Sequence, residues 1–313
     1  MEERVLQFLN KTYPIYFYNV EAVTNEMYRC QSKKGVFFVR ITNYKTYQEQ
    51  LEEVNWINYL FNQGIGVPKI IPTINDSLIG KLMFDEEKLV VVFQAASGIH
   101  LPRSKWNTSV FRDIGQQMGR MHRVSKGYMK SETTAHINHW YECEEFDFLK
   151  YIPGEEKTIR KIASDIVNNI KELPQDNSNY GLIHGDLWLE NILVDSDSKL
   201  TMIDFQDCEK HYYIYDLAVP IYSALEFSFS GGENIRDYER SITRALIDGY
   251  KEENDLSSEM LMKLPLFLKL KELFEYNLMH MYWNSKELSE EQVRILNLYR
   301  NRIEHTHSIT NSE

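Results

Sequence analysis

Ile183-His184-Gly185-Asp186-Leu187-Trp188-Leu189-Glu190-Asn191-Ile192-Leu193-Val194 is followed closely by Thr201-Met202-Ile203-Asp204-Phe205. Two apolar runs, Ile192–Val194 and Leu200–Ile203, flank the polar cluster Asp195-Ser196-Asp197-Ser198-Lys199. The pattern reads as a β-hairpin, because Asp and Ser turn the chain while the apolar runs pair. Centred between Asp197 and Ser198, this hairpin sets Asn191 and Asp204 directly opposite each other. Opposed residues carry Cβ atoms about 4.5–5.5 Å apart, so an amide oxygen and a carboxylate there are spaced to hold one Mg²⁺. Asp186 lies on the loop just before, placed to accept a proton from a hydroxyl approaching the same phosphate.

Toward the N-terminus the chain reads as strands. Ile15–Val20, Met27–Gln31 and Val36–Ile41 are rich in Tyr, Phe and Val, with Lys33-Lys34-Gly35 as a turn. A helix is expected over Thr46–Asn62, stopped by Gln63-Gly64, with Pro68 barring an early restart. Strands follow near Ser77–Met83 and Lys88–Gln94, separated by Asp85-Glu86-Glu87. Beyond the hairpin the rest is helical by its mixed 3–4 spacing: Ser109–Ser125, Glu155–Leu173, Asp216–Phe227, Ile235–Glu252, Ser258–Trp283 and Ser289–His305. Pro265 should kink or split the fifth of these near its start. The sum is an α+β protein of two lobes, a β-rich one over residues 1–95 and a helical one over 96–313, joined near Ala95–Gly98.

One carboxylate on a loop, an Asn five residues later and a second Asp thirteen after that resemble the catalytic and metal loops of the kinase fold. His-Gly-Asp in place of His-Arg-Asp is similar to the aminoglycoside phosphotransferase and choline kinase superfamily. Ile203-Asp204-Phe205-Gln206-Asp207-Cys208, followed by Tyr215-Asp216-Leu217-Ala218, is most similar to the branch holding type II homoserine kinases and uncharacterised bacterial phosphotransferases. The resemblance implies a two-lobed protein-kinase-like fold that transfers the γ-phosphate of ATP, or of GTP, to a small-molecule hydroxyl. In that reading Asp186 is catalytic, and Asn191 and Asp204 hold Mg²⁺. Arg40, in Val39-Arg40-Ile41, grips phosphate with its planar fork where the general pattern has Lys. Its helix partner is Glu53, with Glu49 as the alternative. The phosphate-covering loop falls at Glu21–Glu26, where Asn25 carries the likeness although the loop holds no glycine. Main-chain groups of Gln94 and Ala96 meet the adenine edge.

Trp188, Asp207 and Glu209 are candidates for the acceptor side, where acidic groups suit an ammonium and an indole stacks on it. His184 is expected to brace the catalytic loop and His122 to be structural. Tyr276 and His280 stand one helical turn apart, where they either line the acceptor site or pack a helix. A protein kinase is the second reading, disfavoured because no Ala-Pro-Glu signal follows Asp204. A nucleotide-binding pseudokinase scaffold is the third, disfavoured by the intact Asp186, Asn191 and Asp204.

Charge and composition narrow the partners. The 35 basic residues against 46 acidic ones give a net charge of −11, which opposes nucleic-acid binding and favours a cationic ligand. Cys30, Cys143 and Cys208 lie far apart without a Cys-x-x-Cys pair, which excludes a disulfide framework or zinc site and fits a reducing cytoplasm. The opening Met-Glu-Glu-Arg does not resemble a signal peptide, and the longest apolar runs, Leu89–Phe93 and Leu264–Leu270, are far short of a membrane span. Homoserine, an amino alcohol, a sugar and an aminoglycoside all remain open as acceptor, and the oligomeric state is not legible.

Overall fold

The strands of the first third form one antiparallel sheet in the computed structural model, which describes residues 1–226 and 235–305. In chain order the elements begin α1 (Glu2–Thr12), β1 (Phe17–Ala22), β2 (Met27–Ser32), β3 (Gly35–Thr42), α2 (Tyr47–Asn62), β4 (Ile70–Ile71), β5 (Gly80–Met83) and β6 (Glu87–Gln94). The sheet order is β1-β2-β3-β6-β4, with β5 also paired to β6. Alternation along β3 sends Phe37, Val39 and Ile41 into a core closed by Val5 and Leu9 of α1. Phe38 and Arg40 therefore share the opposite face. Helix α1 is not among the elements expected from the sequence, although Val5 and Leu9 stand one turn apart with Leu6 and Phe8 packed beside them on the same core. Thr46 and Glu49 start α2 with a reciprocal capping box, so Glu49 is engaged at the helix end.

The remaining elements are α3 (Thr108–Ser131), α4 (Phe148–Tyr151), α5 (Lys157–Lys171), β7 (Tyr180–Ile183), β8 (Ile192–Val194), β9 (Leu200–Met202), β10 (Glu209–Tyr212), α6 (Tyr213–Glu226), α7 (Ile235–Glu253), α8 (Ser258–Leu261), α9 (Leu264–Tyr282) and α10 (Glu290–Glu304). The expected long helix is split at Pro265, which sits in the first turn of α9, where its missing N–H is not needed. Phe227, the expected end of α6, lies outside the described residues. No helix among the described residues is long and apolar enough to cross a membrane.

The chain divides into two compact units. The first takes Met1–Leu101 together with Gly127–Ile137 and Asn191–Gln206; the second takes Pro102–Lys126, Asn138–Glu190 and the described residues from Asp207 onward. Helix α6 is buried along nearly its whole length in the second unit, from Tyr213 to Leu225.

The hairpin corrects the pairing register expected from the sequence. β7 pairs with β10, leaving β8 and β9 as a separate ribbon. Its register, Ile192 with Met202 and Val194 with Leu200, is symmetric about Asp197 itself. Asn191 therefore stands opposite Ile203, whose N–H donates to the Asn191 carbonyl at 2.9 Å, and not opposite Asp204. The cause is the turn: Ser198 adopts a left-handed φ of 63°, and the Asp195 carboxylate accepts from the N–H groups of Asp197 and Lys199. The connection left between Val194 and Leu200 is the five residues Asp195–Lys199, an odd count, which moves the centre onto a residue.

Candidate active site

Four attachments fasten the β8–β9 hairpin within the first unit. Ile99 and Val194 exchange backbone hydrogen bonds at 3.0 Å, and Met202 donates to the Gly66 carbonyl at 2.8 Å. Phe205 meets Trp56 edge to face at 5.5 Å, and the Lys45 ammonium donates to the Gln206 carbonyl. Gly66 permits this closeness, since a Cβ there would stand 2.0 Å from the Leu200 oxygen. The result is a cavity of about 530 Å³, walled by Met27, Phe38, Ile57, Phe93, Leu193 and Ile203 and carrying Arg40, Asn191 and Asp204. Gln94 and Ala96 also line it. An unbroken strand would turn Asn191 and Asp204 to opposite faces. Asp204 instead has a φ of 64°, which ends the alternation, and both residues reach the cavity. Gln206 Nε2 donates to Asp204 Oδ1 at 3.0 Å and orients the carboxylate.

Arg40 is 3% exposed and its Nη2 lies 2.5 Å from Oε1 of the buried Glu53. Glu53 Oε2 accepts from Lys45 Nζ at 2.8 Å and from Gln50 at 3.2 Å. Burial pulls the guanidinium pKa down, but the charge and hydrogen bond of Glu53 outweigh it, so Arg40 stays cationic. Its Nε is buried with no hydrogen-bond partner. An orphaned charged donor in a cavity is costly unless an anion meets it, which suits a phosphate oxygen. Asn191 and Asp204 offer two hard oxygen donors, the number Mg²⁺ takes from a protein when substrate phosphates supply the rest. Among the described residues no cluster of three or more His, Cys, Asp or Glu forms a self-sufficient metal cage. Asn25 is exposed in the turn between β1 and β2 and is not part of the cavity wall.

The second unit holds Asp186 on a rigid loop. Gly185 has a φ of 84°, and a Cβ there would stand 2.2 Å from the Asp207 carbonyl oxygen, so glycine is required on both counts. The N–H groups of His184 and Gly185 donate to Asp216 Oδ2 and Oδ1, each at 3.1 Å. His122 Nε2 lies 2.9 Å from the same carboxylate, its Nδ1 lies 3.0 Å from the Tyr250 hydroxyl, and its ring stacks on Tyr213. Burial pushes Asp216 up, yet the His122 bond and charge and the loop N–H groups more than offset it, and Asp216 remains a carboxylate. Asp186 Oδ1 accepts from Lys271 Nζ at 3.2 Å, and Trp188, half-buried, donates its backbone N–H to the Asp186 carbonyl at 2.9 Å.

The other acceptor-side candidates separate. Asp207 is exposed, whereas Glu209 is buried in β10 against Cys143, whose thiol donates to Oε2 at 3.4 Å. Burial, with no cation among its strongest influences, holds the Glu209 carboxyl well above the ordinary range. A raised carboxylate pKa favours folding most below the unfolded pKa, and that contribution is lost as pH rises toward the folded one. Glu209→Gln should therefore flatten the decline of stability from mildly acidic pH upward, measured as urea midpoints across pH; an unchanged slope would show that Glu209 ionises normally. Tyr276 is buried, donates to Glu156 Oε2 at 2.5 Å and meets the edge of His280 at 4.7 Å, as helix packing requires.

Fold and sites together describe a kinase-like phosphotransferase. The phosphotransferase enzyme family matches residues 20–250, and the chain belongs to that family. It is 27% identical over 290 residues to an amicoumacin kinase of Bacillus subtilis (strain 168), covering 91% of this chain and 86% of that protein. It is 23% identical over 256 residues to a homoserine kinase of Parvibaculum lavamentivorans, covering 80% and 74%. Among solved structures, amicoumacin kinase hAmiN in complex with AMP-PNP, Ca²⁺ and Ami superposes with a TM-score of 0.90 at 24% identity, over 100% of this chain and 96% of that one. A microcompartment-associated aminopropanol kinase superposes with a TM-score of 0.75 at 19% identity, over 96% and 94%. The protein is a small-molecule kinase of an ATP-dependent family, as the His-Gly-Asp motif implies.

Proposed function

We propose that this kinase transfers the γ-phosphate of ATP to a hydroxyl of an amine-bearing small molecule. The observation that carries the reading is the cavity of the first unit, where the orphaned Arg40 Nε, Asn191 and Asp204 converge below apolar walls that suit an adenine. The main-chain groups of Gln94 and Ala96 meet the adenine edge, and Arg40 holds the phosphates. Asn191 and Asp204 hold Mg²⁺, which supplies neutralisation of phosphate charge. Asp186 orients the acceptor hydroxyl and takes its proton as the new P–O bond forms and ADP leaves. Phosphoryl transfer asks for positioning and charge compensation more than covalent chemistry, so this set suffices.

The amine is supported by the names of the relatives, which include an amicoumacin kinase and an aminopropanol kinase, and by the excess of acidic residues. Trp188 and the exposed Asp207 stand for the acceptor side. The test is ADP release from Mg·ATP over a panel of amicoumacin, aminopropanol, homoserine, choline and spectinomycin, followed by comparison of the best acceptor with its neutral isostere. Loss of one charge contact is expected to lower kcat/KM roughly ten- to a hundredfold. An isostere that reacts as well as the amine removes the amine from the proposal and leaves the kinase.

A further inference from the structure

Lys271 lies at the centre of the buried face of α9. It follows Phe267 by four residues and Leu268 by three, and its side chain is 0% exposed. A leucine or methionine would fill such a position at less cost, because an ammonium removed from water must be matched by charge. Two carboxylates match it: Asp186 Oδ1 at 3.2 Å and Glu275 Oε1 at 2.8 Å. The ring of Phe274 lies 4.5 Å from Nζ and that of Trp188 lies 5.3 Å away. Burial lowers the lysine's pKa, but the two carboxylates raise it further, so the group stays an ammonium.

We propose that Lys271 is the positioning residue for the phosphotransfer base, fixing Asp186 through Oδ1 and so setting the carboxylate for the acceptor hydroxyl. The inference rests on the reading of Asp186 given above. The Asp186 side chain is 30% exposed while Lys271 is closed to solvent, so an acceptor reaches the carboxylate and not the lysine. Lys271 also packs on Trp188, two residues past Asp186, and thus grips the loop at both residues. In the step itself the acceptor oxygen bonds to the γ-phosphorus, the bond from that phosphorus to the β–γ bridging oxygen breaks, and the hydroxyl proton passes to Asp186. Lys271 keeps its proton throughout. Glu275 holds the ammonium in place from within its own helix, one turn on.

Lys271→Met alone would strand Glu275 as a buried, unpaired carboxylate, so the test adds Lys271→Met/Glu275→Gln, which leaves the helix neutral. Both are assayed for ADP release from Mg·ATP with amicoumacin as acceptor and, in parallel, with water as acceptor through slow ATP hydrolysis. In the double variant kcat is expected to fall about a hundredfold, the loss that misplacing a reacting group by about 1 Å brings. KM for Mg·ATP and the melting temperature should stay near wild type. In an Asp186→Asn background the same two substitutions should cost nothing further, because a residue that acts through Asp186 has nothing left to position. A purely structural lysine would lower activity equally in both backgrounds. A folded double variant within about threefold of wild-type kcat overturns the proposal. Failure of the base assignment shows separately, as wild-type kcat in Asp186→Asn alone.

Discussion

Asp186→Asn is expected to lower phosphoryl transfer by about 10²–10⁴-fold, the range that a positioned general base contributes. The substitution keeps shape and removes only the charge and basicity, so the loop held by Asp216 has no reason to move. Lys271 loses one of its two carboxylates but keeps Glu275 at 2.8 Å, which guards the fold against an unpaired buried ammonium. Arg40, Asn191, Asp204 and the apolar cavity walls all belong to the first unit, and Asp186 belongs to the second. Binding of Mg·AMP-PNP, measured calorimetrically, should therefore match wild type while ADP release collapses. A folded variant with near-normal turnover refutes the role of Asp186.

What could be read in advance depended on whether a feature is local in the chain. The His-Gly-Asp loop and the hairpin residues are local, and they are enough to indicate the phosphotransferase family and a small-molecule kinase. The pairing register was off by one because it hung on the left-handed turn at Ser198, a conformation that Asp-Ser-Asp-Ser does not announce as Asn-Gly or Asp-Gly would. Both metal-ligand candidates still line the same cavity, because a second left-handed residue, Asp204, undoes the alternation. The sequence sets Glu209 beside Asp207 on the acceptor side, but β10 is only four residues long and pairs with β7 across a separation invisible to local pattern. Arg40 and Glu53 came from the family resemblance, and the structure joins them at 2.5 Å. Lys45 and Lys271 were missed for opposite reasons. Lys45 sits in a short loop with no periodicity to mark it, whereas Lys271 occupies a buried position in the 3–4 pattern of α9, and a lysine there is itself the signal. The Tyr215–Ala218 motif contains Asp216, but its hold on the loop at His184 and Gly185 becomes visible only in three dimensions.

Asp204→Asn separates the metal site from the rest of the nucleotide site. Asn tolerates the left-handed backbone that Asp204 adopts, so the hairpin end should survive the change. Removing a charged ligand should weaken Mg·ATP binding roughly ten- to a hundredfold, more than Asn191→Ala, which removes a neutral one. The two effects can be told apart from a general loss of nucleotide affinity by titrating ATP without metal. Asp204 contributes negative charge near Arg40, and that charge opposes a metal-free triphosphate. Metal-free ATP should therefore bind Asp204→Asn as well as wild type or better, while the gain that Mg²⁺ normally adds disappears. Arg40→Ala should show the reverse, with weaker binding whether or not metal is present, because it takes away the cation that meets the phosphates. If Asp204→Asn and Asn191→Ala both bind Mg·ATP as tightly as wild type, the hairpin does not hold the metal and the ligands must be sought elsewhere in the chain.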